Sequence, residues 1–134
     1  MVSFRIKNIL LSIAALLLGV LLYVLFRPTT VVSLLFGRIW WVSELQTELQ
    51  SVPADFLRYY LPDLLWAFSL SCGLHAVILP DQRETLACGG LAVICGIVWE
   101  LLQKFNAVQG TGDWVDVVMY FLAAIASILI NQRR

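Results

Sequence analysis

The sequence predicts an all-α integral membrane protein with about four transmembrane helices and a short interfacial or re-entrant helical segment. Three observations predict it. Of 134 residues, 60% are hydrophobic, and the mean hydropathy is +0.86. Charged residues make up 13%, about half the roughly 25% of a soluble domain, too few to cover such apolar surface in water. The acids also cluster at the ends of apolar runs. Asp63 opens one run, Glu100 closes the next, and Asp113 and Asp116 open the one after. In consecutive spans all four lie at the same membrane face.

The chain reads as a single membrane domain over 1–134. The first span is expected over about 9–26, preceded by Arg5 and Lys7. Its apolar core, roughly 18 residues, exceeds the usual signal-peptide core, and no A-x-A-like site follows; it is expected to stay as a helix crossing ~30 Å of hydrocarbon. Arg27-Pro28 ends it. Residues 31–52 are expected to lie in or dip into the interface. The run "VVSLLFGRIWWV" is too short to span, and Trp40 and Trp41 suit the headgroup level. Ser43 and Gln46 have capping-box spacing. Leu45, Leu49 and Val52 share a face, with Glu44 and Glu48 off it.

The second span, about 62–79, is bounded by "LPD" at 61–63 and again at 79–81. Pro62 suits a first helical position and Pro80 stops the helix. The third and fourth spans are expected over about 86–103 and 113–130, joined by "KFNAVQGTG". Positive charges at the termini favour an N-terminus and C-terminus both in the cytoplasm of a multi-pass plasma-membrane protein, so that the carboxylates face outward.

Residues 3, 4, 7 and 8 apart share a helix face. Gly89, Ala92, Gly96, Glu100 and Gln103 form one stripe, and Asp113, Asp116, Tyr120, Ala123, Ala124, Ser127 and Asn131 another. Small residues let membrane helices approach closely, so these stripes are expected to pack together, bringing Glu100 and Gln103 near Asp116 and Tyr120. Gly and Ala faces equally suit homo-oligomerisation.

Each acid also has a structural explanation. Asp113 fits an N-cap, and Asp116 and Asp63 lie in first turns, where the helix dipole favours anions. Glu100 lies near a helix C-terminus, where the dipole disfavours it, and has an i,i+4 partner in Lys104. His75, in the inner half of the second span, reads as a hydrogen-bonded packing residue. Cys72, Cys88 and Cys95 lie within apolar runs without metal-ligand spacing, so no metal or cofactor is expected. Net charge is zero, which gives no electrostatic basis for nucleic-acid binding.

The tail "WELLQKFNAVQGTGDWVDVVMYFLAAIAS" resembles the VanZ-like family of small bacterial membrane proteins. The likeness rests on Glu100 and Gln103 closing a span, a Gly-containing loop, and Asp116 opening the last span before small residues; Asp63 matches an Asp opening an earlier span. It extends over roughly residues 59–130. The chain departs from the family in lacking an Arg in the loop, in having Tyr120 where an Asn is usual, and in having Trp66 and Ala67 where a His often follows the first Asp. The resemblance implies a bacterial envelope protein linked to low-level glycopeptide (teicoplanin-type) resistance.

Intramembrane carboxylates mark functional sites. The expected function is non-enzymatic: Asp63, Glu100, Gln103, Asp116 and Tyr120 bind a lipid head group, a glycopeptide or a protein partner, and no residue is assigned a catalytic role. Two alternatives use the same acids. A hydrolase or transferase would employ close carboxylates as acid and base, and a transporter component would employ them to pass protons or cations.

Overall fold

Long uninterrupted apolar segments dictate helices, and helices are what the computed structural model contains. It describes residues 2–27, 35–36, 38–51, 53–78, 82–108 and 110–132. Helix α1 is Val2–Phe26, α2 is Trp40–Gln50, α3 is Leu61–Val77, α4 is Gln82–Lys104 and α5 is Trp114–Asn131. A π-helical turn, Phe56–Tyr60, runs directly into α3. Among the described residues the chain is all-helical. Three helical stretches, Val2–Phe26, Arg83–Lys104 and Trp114–Asn131, are long and apolar enough to cross a membrane. Helix α3 has 17 residues, a rise of about 25 Å.

The helices form an up-down bundle with α3 at its centre, packed against α1, α4 and α5. Helices α4 and α5 pack on each other, whereas among the described residues α1 and α4 flank α3 without extensive packing between them. Small side chains allow the close approach of α1 and α3. Ser12 Oγ donates to the Ser69 carbonyl (2.9 Å) and Ser69 Oγ donates to the Ser12 carbonyl (2.8 Å). At Gly19 an added Cβ would stand 3.6 Å from the Leu65 Cβ. The two small-residue stripes of α4 and α5 do meet: a Cβ on Gly89 would press into Ile128, and one on Gly96 into the Tyr120 ring.

One end of the bundle carries a buried polar seam. Asn8 Nδ2 donates to Asn131 Oδ1 (2.9 Å), Asn131 Nδ2 to the Ser127 carbonyl (2.9 Å), and Ser71 Oγ to Ser127 Oγ (2.9 Å). His75, 2% exposed, donates from Nδ1 to the Ser71 carbonyl at 2.7 Å. A backbone carbonyl as acceptor fits a neutral packing histidine with its proton on Nδ1. These bonds tie α1, α3 and α5 together where hydrocarbon offers polar groups no other partner. The opposite end carries Asp63, Glu100, Asp113 and Asp116.

Several local expectations change. The first helix, Val2–Phe26, contains the expected span and extends ahead of it through Ser3, Arg5, Lys7 and Asn8. The Ser43–Gln46 capping box does not form: α2 begins at Trp40, Ser43 Oγ donates to the Trp40 carbonyl (2.7 Å), and Gln46 Nε2 donates to the Val24 carbonyl. Buried Val42 and Gln46 hold α2 against the end of α1, while Trp40 and Trp41 stay exposed. The stop signals at Pro28 and Pro80, residues 31–34, Gly37 and Val52 lie outside the described residues, and so does that part of the expected 31–42 run; its last residues, from Trp40, belong to α2.

Candidate functional site

The carboxylate end is built by three local devices. The first follows from Pro62, which has no N–H and whose ring crowds the carbonyl four residues back, Arg58. The preceding turn is widened: Leu61 N–H reaches the Phe56 carbonyl. Arg27, just past α1, supplies donors to the freed carbonyls. Its Nε donates to the Arg58 carbonyl (2.9 Å) and its Nη2 to the Tyr59 carbonyl (3.3 Å). The guanidinium also lies 4.8 Å from the Tyr23 ring centre and 5.5 Å from that of Tyr59. Arg27 thus fastens α1 to the start of α3 and comes within electrostatic reach of Asp63.

The second device ends α4. Asn106 adopts φ 56°, a left-handed conformation that asparagine tolerates better than most residues. Asn106 N–H bonds the Gln103 carbonyl (2.9 Å) and Ala107 N–H the Leu102 carbonyl (2.8 Å), the paired bonds of a Schellman cap. The returning loop closes over the helix end at two glycines. An added Cβ on Gly110, at φ 144°, would stand 2.5 Å from Gln103 Cδ, and one on Gly112 2.7 Å from the Glu100 carbonyl oxygen.

The third device starts α5. Asp113 caps the helix, accepting from Val115 N–H at 3.0 Å. Glu100 then clamps helix and loop together. Its Oε1 accepts from Tyr120 Oη at 2.7 Å and its Oε2 from Asp113 N–H at 2.9 Å. Glu100 is 7% exposed and Tyr120 4%. The pair with Lys104 does not form; Lys104 Nζ lies 4.9 Å from the Trp114 ring centre. A carboxylate at a helix C-terminus is unfavourable by itself, and two charge-assisted hydrogen bonds offset that cost.

The five residues singled out by sequence therefore divide. Glu100 and Tyr120 bind each other, and Gln103 packs beneath Gly110. Asp116 and Asp63 remain: Asp116 Oδ1 is buried without a hydrogen-bond partner, and Asp63 lies half-buried on a groove that runs along α3 between α1 and α4. Asp63 and Asp116 interact electrostatically with each other, with Glu100 and with Arg27. Among the described residues no group of three or more His, Cys, Asp or Glu side chains is placed to hold a metal ion.

Arg27 and Tyr23 belong to this end and were not among the residues the sequence singled out. The available signal was Arg27 at the close of an apolar run with an aromatic one turn earlier, together with a proline whose i−4 carbonyl needs a new donor. Comparison with protein-family models, with curated proteins and with solved structures finds no match to this chain.

Proposed function

We propose that this chain is a non-enzymatic, four-span envelope membrane protein. In this reading its outward carboxylate end binds an amine-bearing polar group, of a lipid head group, a glycopeptide or a protein partner, through Asp63 and Asp116. The observation that carries this reading is the unpartnered, buried Oδ1 of Asp116, within electrostatic reach of Asp63. A buried carboxylate oxygen without a donor is costly, and an ammonium group supplies the missing donor in a charge-assisted bond. Glu100 and Tyr120 support the site by fixing the start of α5. The fourth span is α3, whose helix continues back through the π-turn to Asp55. The charged termini favour both ends of the chain in the cytoplasm.

The resemblance of the tail to VanZ-like proteins, carried by Glu100, Gln103 and Asp116, supports the envelope setting and adds a link to low-level glycopeptide resistance.

Titration of the purified protein with dihexanoyl-phosphatidylethanolamine, followed by tryptophan fluorescence, tests the binding. Wild type is expected to saturate, and Asp63→Asn to bind at least about tenfold more weakly, a loss of about 1.4 kcal/mol. Equal affinity in the two proteins contradicts the assignment. The same pair, expressed at matched levels in a Gram-positive host, tests the resistance link: reduced glycopeptide susceptibility is expected with wild type alone.

A further inference from the structure

The groove beside α3 extends far beyond the carboxylates. Its volume is about 940 Å³, near the upper end of the roughly 300–1,000 Å³ typical of small-ligand pockets. Leu16 and Val20 of α1, Leu70 and Leu74 of α3, and Trp99 of α4 line it. It exists because α1 and α4 both pack on α3 without extensive packing on each other, and because Gly73 and Cys95 on its walls fill little space. From Asp63 to Val77, both on its lining, the helix rises about 20 Å, more than the ~15 Å of one hydrocarbon leaflet.

The polarity of this groove is confined to one end. Ser12 and Ser69 line it, but each hydroxyl donates to the other residue's carbonyl. Among the described residues that line it, Asp63 is the one acid, and no Lys or Arg joins it. A long apolar channel that ends at a carboxyl group is complementary to an amphiphile with an apolar chain and an amine-bearing head.

We propose that the groove seats one acyl chain of a membrane lipid whose amine-bearing head group meets Asp63. This rests on the reading of Asp63 as a head-group ligand and extends it to the chain. The lipid enters sideways from the bilayer between α1 and α4, and the chain covers apolar surface on α3 that neither neighbouring helix reaches. Bulk added inside the groove evicts the chain without touching the carboxylates.

Cys95 gives access to that test, because it is exposed on the groove while Cys72 and Cys88 are buried. The protein, purified in a mild detergent with dioleoyl-phosphatidylethanolamine, is examined by native mass spectrometry before and after reaction of Cys95 with N-cyclohexylmaleimide, and as the Cys95→Trp variant. Labelling the folded protein removes any doubt about folding of the variant. Wild type is expected to retain one lipid, and either modification to lower the lipid-bound fraction at least fivefold. Retention unchanged by both overturns the groove proposal.

Asp63→Asn separates this proposal from the one beneath it. If Asp63→Asn retains the lipid as well as wild type does while Cys95 modification expels it, the groove holds the chain and the head-group reading fails. If Asp63→Asn loses the lipid and Cys95 modification does not, the head-group reading stands and the groove proposal fails.

Discussion

Glu100→Ala is expected to destabilise the detergent-solubilised protein by about 2–4 kcal/mol, since it removes two hydrogen bonds to a charged acceptor and leaves Tyr120 Oη and Asp113 N–H without a partner. With exposed Cys95 blocked beforehand, the buried thiols of Cys72 and Cys88 become available to a fluorogenic maleimide as the bundle opens, so a thermal scan reads the loss. Glu100→Gln keeps an acceptor for Tyr120 and is expected to lose about half as much. The order alanine, then glutamine, then wild type identifies Glu100 as the clamp between α4 and α5. A wild-type transition temperature in Glu100→Ala would show that the loop and α5 are held by other contacts.

Gly96→Leu is expected to have the largest effect of any single change described. A Cβ alone at Gly96 already collides with the Tyr120 ring, and the ring cannot retreat without giving up its bond to Glu100 at 2.7 Å. Overpacking of this kind costs about 1–3 kcal/mol by itself, and loss of the Tyr120–Glu100 bond adds to it. Gly90 is the matched control: it lies on the same helix, and an added Cβ there meets nothing within 4 Å. Gly90→Leu is therefore expected to leave the transition within about 1 kcal/mol of wild type. Equal tolerance at both positions, read in the same thiol-labelling scan, would contradict the packing of α4 on α5.

What the sequence revealed and what it concealed follow from one physical distinction. The stripe from Gly89 to Gln103 and the stripe from Asp113 to Asn131 lie on helices joined by a short loop. Adjacent antiparallel helices must face each other, so periodicity and small residues sufficed to bring Glu100 and Gln103 near Asp116 and Tyr120, and the structure selects the Tyr120–Glu100 bond among them. The Asp113 cap was equally local and followed from Gly112-Asp113 ahead of an apolar run.

Non-neighbouring helices leave no such trace. Nothing in the sequence shows that α1 and α4 flank α3 without extensive packing between them, so the groove was invisible, although Leu16, Val20, Leu70 and Leu74 were all legible as apolar positions. The bond between Asn8 and Asn131 joins residues at opposite ends of the chain, beyond the reach of helical periodicity. The π-turn was half legible. Pro62 was recognised as a helix-start residue, but the chain continues helically ahead of it, and the donor that permits this, Arg27, lies at the end of another helix.

The roles of the acids also changed once their partners were known. Helix-dipole reasoning made Glu100 the acid hardest to explain structurally, yet it is the one with both oxygens bonded. Asp116, well explained as a first-turn acid, keeps an unpartnered oxygen. Position along a helix sets how favourable a charge is there, and the neighbours brought by tertiary packing decide whether the charge is used up.

The proposed carboxylate site is expected to select a positively charged amine. The most direct measurement leaves the protein unchanged: competition between dihexanoyl-phosphatidylethanolamine and dihexanoyl-phosphatidylglycerol for wild-type protein in detergent at low ionic strength. The two probes share their chains and differ in head-group charge. Asp63 and Asp116 together predict at least about a tenfold preference for the amine, a difference of about 1.4 kcal/mol, diminishing as salt screens the site. Equal binding, or a preference for the glycerol head group, would contradict the claim.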